Sequence, residues 1–255
     1  MKSFRFKFML LIVLTMGLSG NVWAGQFGTP QLAGEKDGWS LGAGYFLYRD
    51  KLDFGNSTYN LKQNQFYVQA AKALGRFEIY LRGGMADMDL DHVFGPQTAG
   101  AAASKSTFES DSSALLSAGL KGSYQLNRTF AVGGFVDGTV FPDHFKDDMH
   151  GSDSEGGFTQ WFKAKNMYNI NVGASLQAEI PHGIKLCAGP YAYWTHADAT
   201  YRDSRYSPVS STLKNKSHYG GFAGASFGLS GGLILSIETQ VSEKISGGTM
   251  ITYCF

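Results

Sequence analysis

Ser246-Gly-Gly-Thr-Met-Ile-Thr-Tyr-Cys-Phe255 is the stretch that decides the fold. Read with a period of two, Thr249, Ile251, Tyr253 and Phe255 share one face of a strand, and Met250, Thr252 and Cys254 share the other. A soluble sheet gains little from a bare terminal aromatic. A lipid-facing strand can place Tyr253 and Phe255 in an aromatic girdle at the headgroup level. The expectation is therefore a last strand that closes a membrane barrel.

The other end of the chain agrees. Lys2, Arg5 and Lys7 precede an apolar stretch from Phe8 to Leu18, and Val22 and Ala24 flank Trp23 before Gly25. This is the pattern of a secretory signal, with residues 1–24 removed on export. The apolar stretch is too short for a bilayer span of ~20 residues. Residues 25–38 are then expected to be a periplasmic amino-terminal segment and residues 39–255 the barrel.

Composition narrows the class. Removing residues 1–24 takes away three bases and no acid, leaving 19 bases against 21 acids. That balance offers no basic field for nucleic acid. With 33 Gly, 6 Pro and an aromatic content of 14%, the chain suits many strands and few helices. Past the signal, no apolar run approaches the ~18 residues of a membrane helix. Mild mean hydropathy is still compatible with a barrel, since only alternate residues of its strands face lipid.

Ten alternating segments follow. They are Trp39–Tyr48, Gln65–Ala73, Phe77–Ala86, Ala114–Gln125, Thr129–Phe141, Tyr168–Ile180, Ile184–His196, His218–Leu229, Leu233–Ser242 and Gly247–Phe255. The sixth is the clearest. Tyr168, Ile170, Val172, Ala174, Leu176, Ala178 and Ile180 alternate with polar or small residues, a run longer than the ~6 residues of a usual soluble strand. Tight turns follow strands two, four, six and eight. Long loops are expected at Arg49–Asn64, Asp87–Ser113, Pro142–Met167 and Ala197–Ser217. This predicts an all-β, closed antiparallel transmembrane barrel of about ten strands, with eight as the alternative, short periplasmic turns and long extracellular loops. Cys187 and Cys254, on the seventh and tenth strands, lie too far apart for a disulfide. They are expected to remain thiols.

These features resemble the bacterial outer-membrane β-barrel proteins, and among them the small OmpA-like and opacity-type barrels. The resemblance implies an outer-membrane location after Sec export and roles in envelope integrity, surface interaction or limited permeation. It also implies partners: outer-membrane lipid and lipopolysaccharide, an extracellular ligand at the loops, and the barrel-assembly machinery, which reads a terminal row such as Ile251, Tyr253 and Phe255. No motif calls for a cofactor.

Glu78, Arg82, Lys121, Asp137, Glu179, Lys185 and Glu238 fall on the inner face or at a rim, since a charge at mid-membrane costs ~2–4 kcal/mol. Either they pair and seal a narrow lumen, making a structural or surface-interaction barrel, or they line a narrow path for ions and small polar solutes. Phe46, Tyr48, Tyr67, Tyr80, Phe135, Tyr191 and Tyr193 also point inward and favour a mostly occluded lumen.

Two loop clusters carry chemistry-bearing residues. Asp87 and Asp89 after the third strand, with His196 and Asp198 after the seventh, resemble the positions used by the omptin surface proteases. That resemblance implies a His–carboxylate couple activating water. The order His196-Ala-Asp198 is the reverse of the omptin couple, and the chain is expected to be short for a barrel projecting far above the membrane. Asp147, Asp148 and Asp153 in the third loop are candidate ligands for Ca²⁺ or Mg²⁺, without EF-hand spacing. The bland alternative in each case is a solvated loop.

Overall fold

The computed structural model describes residues 38–94, 102–154, 156–180 and 183–255. The expected signal and nearly all of the amino-terminal segment, residues 1–37, lie outside the described residues.

Thirteen strands are present: β1 (Trp39–Phe54), β2 (Ser57–Leu74), β3 (Phe77–Leu90), β4 (Ala102–Ala103), β5 (Phe108–Gln125), β6 (Phe130–Phe141), β7 (Phe145–Asp153), β8 (Gly156–Ile180), β9 (Ile184–Asp203), β10 (Val209–Asn215), β11 (Tyr219–Gly228), β12 (Leu233–Val241) and β13 (Ile245–Cys254). Ten of them, β1, β2, β3, β5, β6, β8, β9, β11, β12 and β13, pair in turn and antiparallel. The ring closes where β13 meets β1, with Ser40 opposite Cys254 and Leu47 opposite Gly247. Trp39 and Phe255 exchange both backbone hydrogen bonds, at 3.1 and 3.0 Å, and suture the first strand to the last residue. Closure leaves no strand edge toward lipid, where an unmet N–H or C=O would cost several kcal/mol.

The lower part of the wall is turned inside out relative to a soluble sheet. Leu41, Val68, Leu81, Leu116, Val136, Ile170, Val172, Leu176 and Ile251 are exposed on the outside. Ser40, Gln69, Ser117, Asn171, Gln177 and Ser236 are buried inside. Aromatics rim the belt, with Tyr168 and Trp194 at the top and Trp39, Phe77, Tyr124, Phe130, Tyr253 and Phe255 at the bottom. This is the apolar band and double girdle of a transmembrane barrel.

Above the belt the alternation reverses. On β1 the outward row passes from Trp39, Leu41, Ala43, Tyr45 and Leu47 to Arg49, Lys51 and Asp53, while the inward row passes from Ser40, Gly42 and Gly44 to Phe46, Tyr48, Leu52 and Phe54. The expected loops are thus largely strand. Arg49–Asn64 is the top of the β1–β2 hairpin, with Gly55 (φ +58°) in its two-residue turn. Pro142–Met167 contains β7 and the first half of β8, which is 25 residues long, and Ala197–Ser217 contains the end of β9 and β10. The expectation of a barrel that does not project above the membrane is corrected by these lengths.

Strand β10 gives this upper storey its own closure. It pairs with β9 on one side, Val209 opposite Tyr201 to Lys214 opposite His196, and with β1 on the other, Leu52 opposite Asn215 to Phe54 opposite Leu213. It therefore bridges over β11, β12 and β13, which end lower down. The upper ring runs β1, β2, β3, β5, β7, β8, β9, β10. Between β5 and β7 the join is made by Asp147, which accepts from the Glu109 N–H (2.8 Å) and pairs with Lys105 (2.5 Å).

Two bulges keep the inside continuous across the change of storey. Ala86 pairs with Ser113 but Met88 with Ser110, so β5 carries an extra residue near Asp111–Ser112. Lys165 pairs with Asp198 but Tyr168 with His196, and Asn166 there has φ +53°. On β8 the inward row is Phe158, Gln160, Phe162 and Ala164 above the bulge, and Met167, Asn169 and Asn171 below it. An extra residue on one strand shifts its side chains by one place, which allows even residues above and odd residues below to face the same interior.

Candidate functional site

Inside the lower storey, inward aromatics lie across glycines of the next strand. A Cβ on Gly119 would come within 2.3 Å of the Tyr80 ring, one on Gly44 within 2.7 Å of Tyr67, one on Gly173 within 2.5 Å of Phe135, and one on Gly220 within 2.5 Å of Tyr191. In all four cases the pair is directly cross-strand. A ring laid over a glycine covers exposed backbone and pins the register of the two strands.

The charged residues expected in the lumen divide into two groups. Glu78, Arg82, Lys121, Asp137 and Glu238 are inside and almost fully buried, between 1% and 4% exposed. The Arg82 Nε–H donates to Gln69 Oε1 (2.8 Å), and its guanidinium lies 4.4 Å from the Tyr80 ring centre and 5.0 Å from that of Tyr67. Lys121 Nζ lies 5.1 Å from the Tyr80 ring, opposite Glu78 in register. Asn171 donates to Asp137 (2.8 Å) and Gln240 to Glu238 (2.9 Å). Two cations and three carboxylates thus share one buried polar layer, with the aromatic rings as cover. Glu179 and Lys185 are the exceptions. They face each other across the β8–β9 turn at the periplasmic rim, Glu179 exposed and Lys185 half-buried, and take no part in the inner layer.

Inside the upper storey the filling is apolar. Phe46, Leu52, Leu61, Met88, Leu90, Phe94, Phe108, Phe141, Phe145 and Phe162 are almost completely buried in one cluster. Phe162 meets Phe108 and Phe54 edge-on, at centroid distances of 5.1 and 5.7 Å. Phe141 packs on Phe145 at 5.5 Å. Edge-to-face packing of this kind fixes ring positions beyond what burial alone does. The storey is the core of a small soluble barrel set on top of a membrane one.

At the junction sits Asp50, fully buried. It accepts from the hydroxyls of Tyr48 (3.1 Å), Tyr193 (3.1 Å) and Ser242 (3.4 Å). Burial pushes its carboxyl up to about 6, against hydrogen bonds that pull it down. Composition and periodicity gave it no prominence. Its signal was available: it is the one carboxylate in the inward row Phe46, Tyr48, Asp50, Leu52, Phe54.

The candidate catalytic residues are not brought together. Asp87 and Asp89 continue the outward row of β3 above Met85, on the outer wall. Asp87 accepts from the backbone and side-chain N–H groups of Asn64 (2.6 and 2.8 Å), and Lys62 pairs with Asp89 (3.4 Å). Burial, followed by the neighbouring Asp87, holds the Asp89 carboxyl above its ordinary value. His196 and Asp198 continue the outward row of β9, four strands round the ring from β3. They stand 3.8 Å apart; His196 stacks on Tyr168 at 5.2 Å, and Asn166 donates to Asp198 at 2.7 Å. The Asp87–Asp89 pair and the His196–Asp198 pair therefore look away from each other across the barrel, with the wall and the apolar core between them.

The candidate cation ligands fare similarly. Asp147 and Asp148 are successive residues of β7 on opposite faces; Asp147 joins β5, and Asp148 meets His150 Nε2 at 3.3 Å. The side chain of Asp153 lies outside the described residues. Among the described residues no group of three or more His, Cys, Asp and Glu is placed to hold a metal ion. Cys187 and Cys254 both remain thiols.

The terminal row expected from the sequence faces outward. Ile251 and Tyr253 on β13 and Phe255 just past its end are exposed on the outside, with the last two rings stacked at 5.9 Å.

No family model matches the chain, and no curated protein sequence matches it. Among solved structures it is similar to the translocator domain of the autotransporter NalP from Neisseria meningitidis, at 12% identity over 98% of this chain and 95% of that one, with a TM-score of 0.47. It is also similar to Ail, the attachment invasion locus protein of Yersinia pestis, at 12% identity over 86% and 99%, with a TM-score of 0.33. The outer membrane protease OmpT from Escherichia coli matches at 12% identity over 87% and 97%, with a TM-score of 0.41. The closed ring, the double girdle and the inverted lower wall make this chain a small integral membrane β-barrel.

Proposed function

We propose that this barrel is a non-conducting anchor that holds a rigid β-structured head at the cell surface for interaction with an extracellular ligand. The observation that carries the reading is the apolar core of the upper storey. A path for ions needs water-facing groups along its whole length. Here the passage meets first a buried polar layer around Arg82 and Lys121, then a plug of phenylalanines around Phe108 and Phe162. Each fully buried Phe contributes roughly 1.5–3 kcal/mol against exposure, so opening such a plug is expensive. The row Ile251, Tyr253 and Phe255 serves, on this reading, as the strand that the assembly machinery recognises.

The test is planar-bilayer recording of the refolded full chain, with folding checked by heat-modifiable gel mobility. A folded, silent barrel is expected. Discrete, steady current steps from the folded form would sink the proposal and restore the narrow-pore alternative, with Arg82 and Lys121 as the residues to probe for selectivity.

A further inference from the structure

The outer wall of the upper storey is not evenly charged. On β8 the outward row above the girdle is Lys165, Lys163 and Trp161, and on β9 it includes Thr200 and Arg202. These five residues line a shallow depression of about 370 Å³. The Arg202 guanidinium lies 5.6 Å from the Trp161 ring centre, directly across the two strands. On the other side of β8, Lys146 of β7 stands opposite Lys163 and is also exposed.

Lysines directly opposite each other on neighbouring strands repel, and such pairs are usually avoided. The obvious internal remedy is absent. Among the described residues, Lys146, Lys163, Lys165 and Arg202 enter no ion pair with a carboxylate. The two nearest acids in register are engaged elsewhere. Asp148, beside Trp161, meets His150 at 3.3 Å. Asp198, opposite Lys165, accepts from Asn166 at 2.7 Å.

Height fixes what the patch faces. Tyr168 is the girdle residue of β8, and Lys165 is the first lysine above it. At ~3.3 Å per residue, Lys165 to Lys163 lie on the order of 10–17 Å along the tilted wall above Tyr168. That is headgroup depth, just above the outer-leaflet hydrocarbon. We propose that this patch is a binding site for the phosphates of a phosphorylated glycolipid of the outer leaflet, the lipid A part of lipopolysaccharide. Lys163 and Lys165 meet phosphate as point charges. Arg202 can form a two-pronged hydrogen bond to phosphate oxygens. Trp161 offers a flat face for a sugar ring, and the apolar wall below Tyr168 takes the acyl chains. The site is independent of whether the lumen conducts.

The experiment is native mass spectrometry of the refolded full chain in detergent, with bis-phosphorylated lipid A and, separately, its fully dephosphorylated form. Wild type is expected to retain bis-phosphorylated lipid A at least about tenfold more strongly than the dephosphorylated lipid. Lys163→Glu/Arg202→Glu is expected to abolish that preference. Lys163→Gln/Arg202→Gln, which preserves size and spares the fold, is expected to reduce it in the same sense. Lys51→Gln/Lys62→Gln is the control, because those lysines already pair with Glu243 (3.2 Å) and Asp89 (3.4 Å) on another part of the wall. It is expected to bind like wild type. Equal retention of the two lipids by wild type, or an unchanged preference in both patch variants, would overturn the site. Inorganic phosphate in large excess is expected to leave the lipid in place; its displacing the lipid would overturn the assignment to the lipid and point to free phosphate instead.

Discussion

The two storeys of this barrel are built from the same strands and obey opposite rules. In the lower one, apolar side chains face out and polar ones face in, because lipid is outside. In the upper one, β1, β2, β3, β8 and β9 run on without a break, yet Arg49, Lys62, Asp89, Lys163 and Arg202 face out while Phe54, Leu61, Leu90, Phe162 and Ala199 face in. The difference teaches that backbone pairing carries through a change of solvent, with a switch in side-chain choice at the boundary and a bulge there on β5 and on β8. It also shows why the lumen is shut twice. The lower storey is closed by a hydrogen-bonded ionic layer and rings on glycines, the upper by an ordinary hydrophobic core.

The comparison breaks most readily at Phe162. Its ring is 1% exposed and packs on both Phe54 and Phe108. Truncation to Ala is expected to cost ~3–5 kcal/mol, the range for a buried Phe. Gln177 lines the lower storey, and its partner is the short Ser175 hydroxyl at 3.1 Å. Gln177→Ala is expected to cost about 1 kcal/mol, the net worth of one such hydrogen bond. Urea unfolding in detergent micelles, followed by tryptophan fluorescence, measures both. Equal losses would mean that the upper core does not hold the head together as described.

Much of the lower storey was legible in the sequence and much of the upper was not, for one reason. The apolar rows that face lipid end at Leu47, Met85, Tyr168 and Trp194. Beyond them the apolar row changes face, so the outward faces of Arg49-Asp-Lys51 and Asp87-Met-Asp89 have the polar pattern of a loop. On β1 the inward row Phe46, Tyr48, Leu52, Phe54 keeps its phase and could have been followed. On β5 and β8 the bulges near Asp111 and Asn166 shift the phase, and no simple period crosses them. The catalytic candidates lie beyond the same change of face. Counting on in twos from Leu81 and Met85 puts Asp87 and Asp89 on the outer wall, where they cannot share a cleft with His196. Which lumen charges join the inner layer also followed from height. Glu179 and Lys185 flank a turn, whereas Arg82 and Lys121 lie within their strands.

The junction between the storeys predicts a pH dependence at Asp50. Its carboxyl is raised by burial from 3.8 to about 6, so the folded barrel holds the proton more tightly than the unfolded chain. Stability from this group is full below about pH 4 and is lost as pH rises to about 6, by roughly 3 kcal/mol at ~1.4 kcal/mol per pKa unit. Asp50→Asn keeps the shape and removes the charge. The difference in unfolding midpoint between variant and wild type, which cancels the other carboxylates, is expected to grow in the variant's favour from pH 4 to pH 7. A constant difference would show that Asp50 stays ionised, held by Tyr48, Tyr193 and Ser242.

A glycine under a ring sharpens the lower half of the comparison. If the lower storey is closed by rings on glycines, adding one methyl group should matter where the ring is closest. A Cβ on Gly119 would stand 2.3 Å from both Tyr80 Cζ and its hydroxyl oxygen. Tyr80 cannot swing freely, since Arg82 lies 4.4 Å and Lys121 5.1 Å from its ring. Gly119→Ala is therefore expected to cost ~1–3 kcal/mol, the range for overpacking. Gly83, on the outer face of β3, offers the control: its added Cβ would find only a Leu116 methyl, at 3.9 Å. Gly83→Ala is expected to be neutral. The pair Gly119→Ala/Tyr80→Leu decides the cause. Removing the aromatic ring should make the alanine nearly harmless, giving a non-additive coupling of at least about 0.5 kcal/mol in the cycle. Additive losses would mean that the glycine serves wall curvature and that the ring above it does not determine its size.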